Sequence, residues 1–294
     1  MNKAFIFLVL LYVMTTASFS YSQDNSREPK CKITQLNPGL WEITIASVNV
    51  IASVGSDGIL IVDANYSEYA RFLKKAIDSV GSGNKLNYIV DTHWHFDHTG
   101  GQKIFGKGTK IISHEKVMEL LSKDDILLGD TQKAYPDYAL PYITFSDSLA
   151  LKFNDEDIKI TSVSGSHSAG DAVVYFRKAK VLHIGDIIFA DEFPFVDTEH
   201  GGSVIKILES LNQIISSYPS DTRIVPGHGR IYSISDLKEY AGMVERTIGI
   251  VRNEKQKGKS LKEIQNGNAL EEYKEYAVSF SCSDWIEYIY KSLD

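Results

Sequence analysis

Apolar positions along the chain switch repeatedly between the unbroken or alternating runs of strands and the three-and-four spacing of helices. Trp41 to Val54 is rich in Ile, Val and Thr and reads as a strand, and a second strand, Gly58 to Asp63, follows a Ser-Asp-Gly turn. Over Tyr66 to Val80 the apolar residues Tyr69, Phe72, Leu73, Ala76, Ile77 and Val80 keep helical spacing, and Gly81-Ser82-Gly83 closes the segment. Leu86–Val90 is a short buried strand, followed by strand Lys110–Ile112 and helix His114–Ser122. From Asp130 to Pro141 the chain turns polar, aromatic and proline-bearing, long enough for a loop that overhangs a site.

The pattern then restarts. Strands are predicted near Tyr142–Phe145, Ala150–Phe153, Ile158–Val163, Ala172–Phe176 and Val181–Ile184, then helix Val204–Ser217 and strand Thr222–Val225. Two β-rich blocks, each ending in helices, predict an α/β fold of two stacked halves around one core. Past Ser233 the chain reads as helical over Leu237–Lys257, Ser260–Gln265, Leu270–Ala277 and Asp284–Ser292. The organisation expected is therefore a main domain over residues 23–232 and a helical extension over 233–294, packed on or beside it.

Residues 1–22 carry the marks of an export signal: Lys3, an apolar run from Ala4 to Met14, and a small-x-small site at Ser20-Tyr21-Ser22. A spanning helix needs about 20 apolar residues, and this run is well short of that. The expected location is the periplasm or the exterior, without membrane insertion after cleavage. Charge narrows the partners. The chain carries 31 Lys and Arg against 38 Asp and Glu, and losing Lys3 leaves 30 − 38 = −8. An acidic chain without a basic run is not built for nucleic acid. A small-molecule substrate is expected, and oligomeric state is not readable from this pattern. Export permits a disulfide between the two cysteines, Cys31 and Cys282, but their spacing does not establish one.

The chemistry lies in Thr92-His93-Trp94-His95-Phe96-Asp97-His98-Thr99-Gly100-Gly101, where three of the eight histidines stand within six residues. Imidazole and carboxylate are the donors that borderline metals such as zinc prefer. His93 and His95, two apart, leave the same face of an extended segment, while Asp97 and His98 come as the chain turns. Gly100 and Gly101 allow that turn. Two further histidines stand in glycine-bounded segments: His167 in Gly165-Ser166-His167-Ser168-Ala169-Gly170-Asp171, and His228 in Pro226-Gly227-His228-Gly229. Together they predict a metal site, with room for two ions.

In these residues, with Asp63 after the early strand and Gly185-Asp186, all in the same order, the chain resembles the metallo-β-lactamase superfamily. The resemblance covers the mature chain to about residue 232 and implies an αβ/βα four-layer sandwich with the metal site at the sheet edges. Carried over by motif, His93, His95 and His167 are the first metal's ligands, Asp97, His98 and His228 the second's, and Asp186 bridges. Asp186 stands where many zinc β-lactamases have cysteine, so the site resembles glyoxalase II and the lactonases; His95 stands where diiron oxygen reductases have glutamate. Glyoxalase II acts in the cytosol, and the stretch from Gly185 to Asp197 looks more like exported hydrolases of the superfamily. A water bridging two cations about 3.5–4 Å apart becomes nucleophilic near neutral pH and would attack an acyl carbonyl, with Asp97 orienting it.

The expected protein is an exported hydrolase with two Zn2+ per chain, Fe or Mn being alternatives, acting on a lactone, β-lactam or thioester. A mononuclear iron sulfur dioxygenase of the same fold is the second reading, and a non-catalytic metal-binding or ligand-binding module the third. His200, Phe193, Phe195 and Asp197 are expected at the substrate mouth, and Tyr135, Tyr138 and Tyr142 in an aromatic lid. Asp63 is expected to support the ligand loop, His183 to be packed or to back the ligands, and His114 to be structural.

Overall fold

A computed structural model describes residues 28–81 and 83–294. The signal expectation for residues 1–22 lies outside them. Four antiparallel strands come first: β1 (Cys31–Asn37), β2 (Leu40–Ile45), β3 (Val48–Gly55) and β4 (Gly58–Val62). Helix α1 (Ala70–Gly81) then crosses to β5 (Leu86–Val90), parallel to β4, and β6 (Lys110–His114) is parallel to β5. Between those two strands lie the short helices α2 (Phe96–Thr99) and α3 (Gln102–Phe105); α4 (Glu115–Leu121) follows β6. β7 (Asp125–Leu127) and β8 (Asp130–Gln132) form a separate hairpin, and β9 (Ile143–Phe145) completes the seven-stranded sheet.

The second sheet has five strands in chain order: β10 (Ser148–Phe153), β11 (Glu156–Ser162), β12 (Ala172–Phe176), β13 (Val181–His183) and β14 (Arg223–Val225). Helix α5 (Val204–Ser217) connects β13 to β14, which pair in parallel. Helices α6 (Ile234–Gln256), α7 (Leu261–Gln265) and α8 (Cys282–Ser292) complete the chain.

The apolar runs of the central strands follow from burial on both faces. In β4, Leu60 and Val62 point into the core between the sheets, while Ile59 and Ile61 pack under α1 with Leu73 and Ile77. In β12, Val174 and Phe176 share the inter-sheet core, while Val173 and Tyr175 face α5 and α6. The layers therefore run helix, sheet, sheet, helix. Trp285 and Ile289 of α8 join the same cluster as Val244 of α6 and Leu211 of α5, so the C-terminal helices share a core with the second half. No helix among the described residues is long and apolar enough to cross a membrane.

Two local expectations are corrected, and one strand is added. Trp41–Val54 is two strands, because Ala46 and Ser47 take φ of 50° and 68° and close a two-residue hairpin. That turn usually advertises itself with Asn-Gly or Gly, and Ala-Ser does not. β1 is an exposed edge strand with little apolar alternation, and the sequence reading has no counterpart for it. Asp130–Pro141 is not an overhanging loop: it starts with β8, and Tyr135 is buried in one cluster with Trp94, Val117 and Leu121. Both cysteines are free thiols, Cys31 exposed on β1 and Cys282 half-buried at the start of α8.

Candidate metal centre

The chemistry-bearing segments leave the ends of neighbouring strands along one edge of the sandwich. Asp63 follows β4, the histidine cluster follows β5, His167 precedes β12, Asp186 follows β13 and His228 follows β14. Loops at strand ends on a rigid sheet pair are where α/β folds place binding groups. Asp63 takes a left-handed φ of 65°, a strained backbone that turns its carboxylate towards the cluster. There it accepts hydrogen bonds from the Thr92 N–H (2.8 Å) and hydroxyl (2.9 Å), and meets His98 Nδ1 at 2.8 Å. This is the support expected of it. His98 is thereby left with Nε2 free to face the site.

Two groups of donors result, each with its ligand atoms within 4.8 Å of one another: His93, His95 and His167; and Asp97, His98, Asp186 and His228. In the first group His95 Nδ1 and His167 Nε2 stand 2.9 Å apart. The far nitrogen of each ring is anchored: His93 Nδ1 to the Thr92 hydroxyl (2.9 Å), His167 Nδ1 to the Phe195 carbonyl (2.8 Å), His95 Nε2 to the Asp197 carboxylate (3.0 Å). Asp197 is in turn held by His200 Nδ1 at 2.8 Å, and His200 Nε2 reaches Asp125 on β7 at 3.1 Å. Asp171 holds the His167 loop from below, accepting the backbone N–H groups of His167 (2.8 Å) and Ser168 (2.9 Å).

In the second group His228 Nε2 lies 3.1 Å from Asp97 Oδ2 and 3.4 Å from Asp186 Oδ2. That same Asp186 oxygen is 3.9 Å from both His93 Nε2 and His167 Nε2, so the carboxylate stands between the groups. Asn49 fixes the His228 loop across the sandwich: its side-chain amide donates to the carbonyls of Pro226 and Gly229, both at 2.9 Å, and its backbone N–H to Gly227. A Cβ on Gly227 would fall 2.0 Å from Asp186 Oδ1 and 2.8 Å from His98 Cε1. Only glycine lets this loop close on the site.

Charge separates the two groups. Burial pushes His93 well down and His95 down, against the pull of Asp186 on the one and Asp197 on the other, which favours neutral rings ready to donate a lone pair. In the second group burial again favours neutral forms, but the charges outweigh it. Asp186 and Asp97 raise His98 well above its ordinary value and push His228 up to about 10, while these rings hold Asp97 and Asp186 well below the carboxylate range. Protons on two rings thus balance two carboxylates in a buried pocket.

The donor set fits a metal. His93 Nε2 and Asp186 Oδ1 are buried and make no hydrogen bond, although Asp186 Oδ1 lies 3.2 Å from His98 Nε2. Polar atoms buried without a partner are costly, and here both belong to good metal donors among others of the same kind.

The other expected residues divide. Phe195 lies against the ligands, with ring centroids 5.7 Å from His95 and 5.8 Å from His167. His200 and Asp197 back His95. Phe193 is fully buried and stacked on Trp285, so it lines no mouth. Tyr135 is no substrate residue or lid either: it is buried, with its hydroxyl 2.8 Å from Thr99 Oγ1. Tyr138 and Tyr142 are exposed beneath Lys107 and Lys110. His183 is buried, its Nδ1 on the Val225 carbonyl and its Nε2 3.3 Å from Asp63, while His114 caps α4 by accepting the Lys116 N–H. The sequence reading missed the anchoring roles of Asp171 and Asn49, and the rings of Phe189 and Phe280. Asp171 had a signal, a carboxylate four residues from His167 in a serine-glycine turn. Asn49 had none.

Known proteins place the chain. A family model of the metallo-beta-lactamase superfamily matches residues 43–228. Metallo-beta-lactamase type 2 of Bacteroides fragilis is 22% identical over 83% of this chain and 96% of that protein; that of Elizabethkingia meningoseptica is 24% identical over 88% and 99%. A metallo-beta-lactamase structure from Pontibacter korlensis superposes with a TM-score of 0.61 at 17% identity, covering 74% of this chain and 99% of that one. A sec-alkyl sulfatase superposes with a TM-score of 0.73 at 15% identity over 90% of this chain and 50% of that one. The chain belongs to the metallo-beta-lactamase superfamily and is, with it, a metal-dependent hydrolase.

Proposed function

We propose that the protein is an exported dinuclear zinc hydrolase that opens a cyclic or activated acyl bond: a lactone, a β-lactam or a thioester. One observation carries this reading. Two donor groups abut across Asp186, and every donor is nitrogen or oxygen. Such a set suits zinc, with imidazole dominating and no thiolate. When bound, two divalent cations at such a centre lower the pKa of a shared water and polarise a carbonyl oxygen.

The side chains divide that work. His93, His95 and His167 would hold the first cation and His98, His228 and Asp97 the second, with Asp186 within reach of both groups. Asp97 Oδ2 faces His98 at 3.3 Å and His228 at 3.1 Å, and its side chain keeps 14% exposure. Its other oxygen would accept a hydrogen bond from the attacking water and so orient that water's lone pair towards a carbonyl carbon. The anchors on His93, His95, His98 and His167 fix ring orientation before substrate arrives, as backing partners of metal-binding histidines do. Export rests on Lys3, the apolar run to Met14 and the small residues before Gln23.

The test is hydrolysis by the zinc-loaded full chain across lactones, β-lactams, thioesters and esters, beside His95→Ala. Turnover that falls by at least about a thousandfold in a folded His95→Ala supports the reading. Full activity in that variant, or about one iron per chain with oxygen consumption, contradicts it.

A further inference from the structure

The C-terminal segment brings a side chain from outside the stretch that the superfamily model matches to within one ring of the metal-site histidines. Phe280 stands in the turn before α8. This turn is fixed on both sides: the Ser279 hydroxyl and N–H donate to Glu192, and Ser281 caps α8 through Asp284. The Phe280 ring is stacked on Phe195 (5.6 Å between centroids, 24° between planes) and lies 6.1 Å from Phe189. Those two rings touch opposite ligand groups. Phe195 rests on His95 and His167, and Phe189 on His228 at 4.8 Å. Phe280 therefore bridges them, half-buried rather than sealed into the core. Tyr288 of α8 extends the row, 5.9 Å from Phe195.

Phe195 and Tyr288, at one end of the aromatic row, line a cleft of about 220 Å³ that the β7–β8 hairpin closes on its other side, while Phe280 stacks on Phe195 outside the cleft and continues the row towards Phe189. At that hairpin Ile126 and Leu128 are 58% and 63% exposed, large apolar side chains turned to water beside an aromatic wall. An apolar cavity of about 150 Å³ takes a benzene ring, so this cleft has the volume for one, its lining mixing Phe195, Tyr288 and Ile126 with charged side chains at the rim. The cleft is lined by the carboxylates of Asp197, Glu199 and Glu287 against Lys291 and His200, an acidic excess that disfavours an anionic group. Arg230, close after His228 in sequence, is committed to Asp191 and Asp236.

We infer that Phe280, with Phe189, Phe195 and Tyr288, forms a specificity wall that selects acyl substrates carrying an uncharged aromatic or branched apolar group. This deepens the hydrolase reading and rests on it. Aromatic stacking and desolvation of the cleft supply the selection, and the helical extension contributes the ring that joins both ligand groups.

The experiment uses the full chain loaded with zinc, and 19F NMR titration of 4-fluorophenylacetamide against fluoroacetamide. The aryl probe is expected to bind at least tenfold more tightly than the small one, and Phe280→Ala to weaken it about tenfold. Tyr288→Ala, which removes a ring lining the cleft itself, should weaken it at least as much, and Phe280→Leu, which keeps an apolar side chain, should fall between wild type and Phe280→Ala; thermal melts establish that each is folded. In turnover, the ratio of kcat/KM for phenylacetyl over acetyl esters should fall about tenfold in Phe280→Ala. Equal binding of the two probes, or an aryl affinity within twofold of wild type in folded Phe280→Ala and Tyr288→Ala, overturns the inference. Aryl binding that depends on Phe280 without hydrolysis of any substrate supports the wall and contradicts the hydrolase reading. Turnover without aryl preference does the reverse.

Discussion

The two halves of the metal centre are built on opposite electrostatic plans. The trio of His93, His95 and His167 is buried, burial holds His93 and His95 below the ordinary histidine range, and each ring is locked from behind by a hydroxyl, a carboxylate or a carbonyl. The quartet of Asp97, His98, Asp186 and His228 concentrates two carboxylates, which draw protons onto the neighbouring rings, and two of its members keep some exposure. The trio is a set of rings fixed in orientation; the quartet sets two carboxylates against two rings onto which they draw protons. A metal should displace little proton from His93 and His95, and should displace protons from His98 and His228. The shared carboxylate Asp186 makes the two sites one.

Four changes would break or sharpen that contrast. Removing the shared group acts on both sides at once. Asp186→Ala should lower hydrolysis by at least about a thousandfold and leave fewer than two metals per chain, read by steady-state kinetics and elemental analysis. Asp197→Ala strips His95 of its backing carboxylate and should weaken the first metal by about 10–100-fold, the usual cost of losing such a partner. A competition titration with a chromophoric chelator would resolve this, and the second metal should change far less.

The third change is pH. Burial favours a neutral His228, yet Asp186 and Asp97 push its pKa up to about 10, so at pH 7 the metal-free ring is protonated. Affinity of the quartet should therefore rise about tenfold per pH unit for each proton displaced, until the pH approaches that value. Burial keeps His93 and His95 below the ordinary histidine range, so metal binding should release little proton from those two rings over the same window. Calorimetry in buffers of differing ionisation enthalpy counts the protons released. Smallest is His200→Ala, which removes the outer link to Asp197 and should weaken the first metal only about threefold in the same chelator assay.

What the sequence disclosed follows from how far apart the partners lie along the chain. The cluster from His93 to His98 is compact, because one turn of chain delivers donors to both groups, and glycines mark the loops of His167, Asp186 and His228. The layered fold was equally open to reading: strands buried on both faces, such as Gly58–Val62 and Ala172–Phe176, leave unbroken apolar runs. Long-range anchoring left no such trace. His95 meets Asp197 across 102 residues, and Asn49 reaches the His228 loop across 177 to 180. Nothing local distinguishes these polar residues from any others. Phe280 likewise looked like one more aromatic in a helical tail, and only the fold carries it to Phe195. Tyr135 erred the other way, because an aromatic in a polar stretch suggests a lid when its ring is filling the space beside Trp94.

The most direct test of the whole account is elemental analysis of the purified full chain, with protein concentration measured on the same sample. Two zinc ions per chain, falling to about one in Asp197→Ala, are predicted. One iron per chain, or no metal retained after reconstitution with zinc, would contradict a dinuclear centre built from these seven side chains.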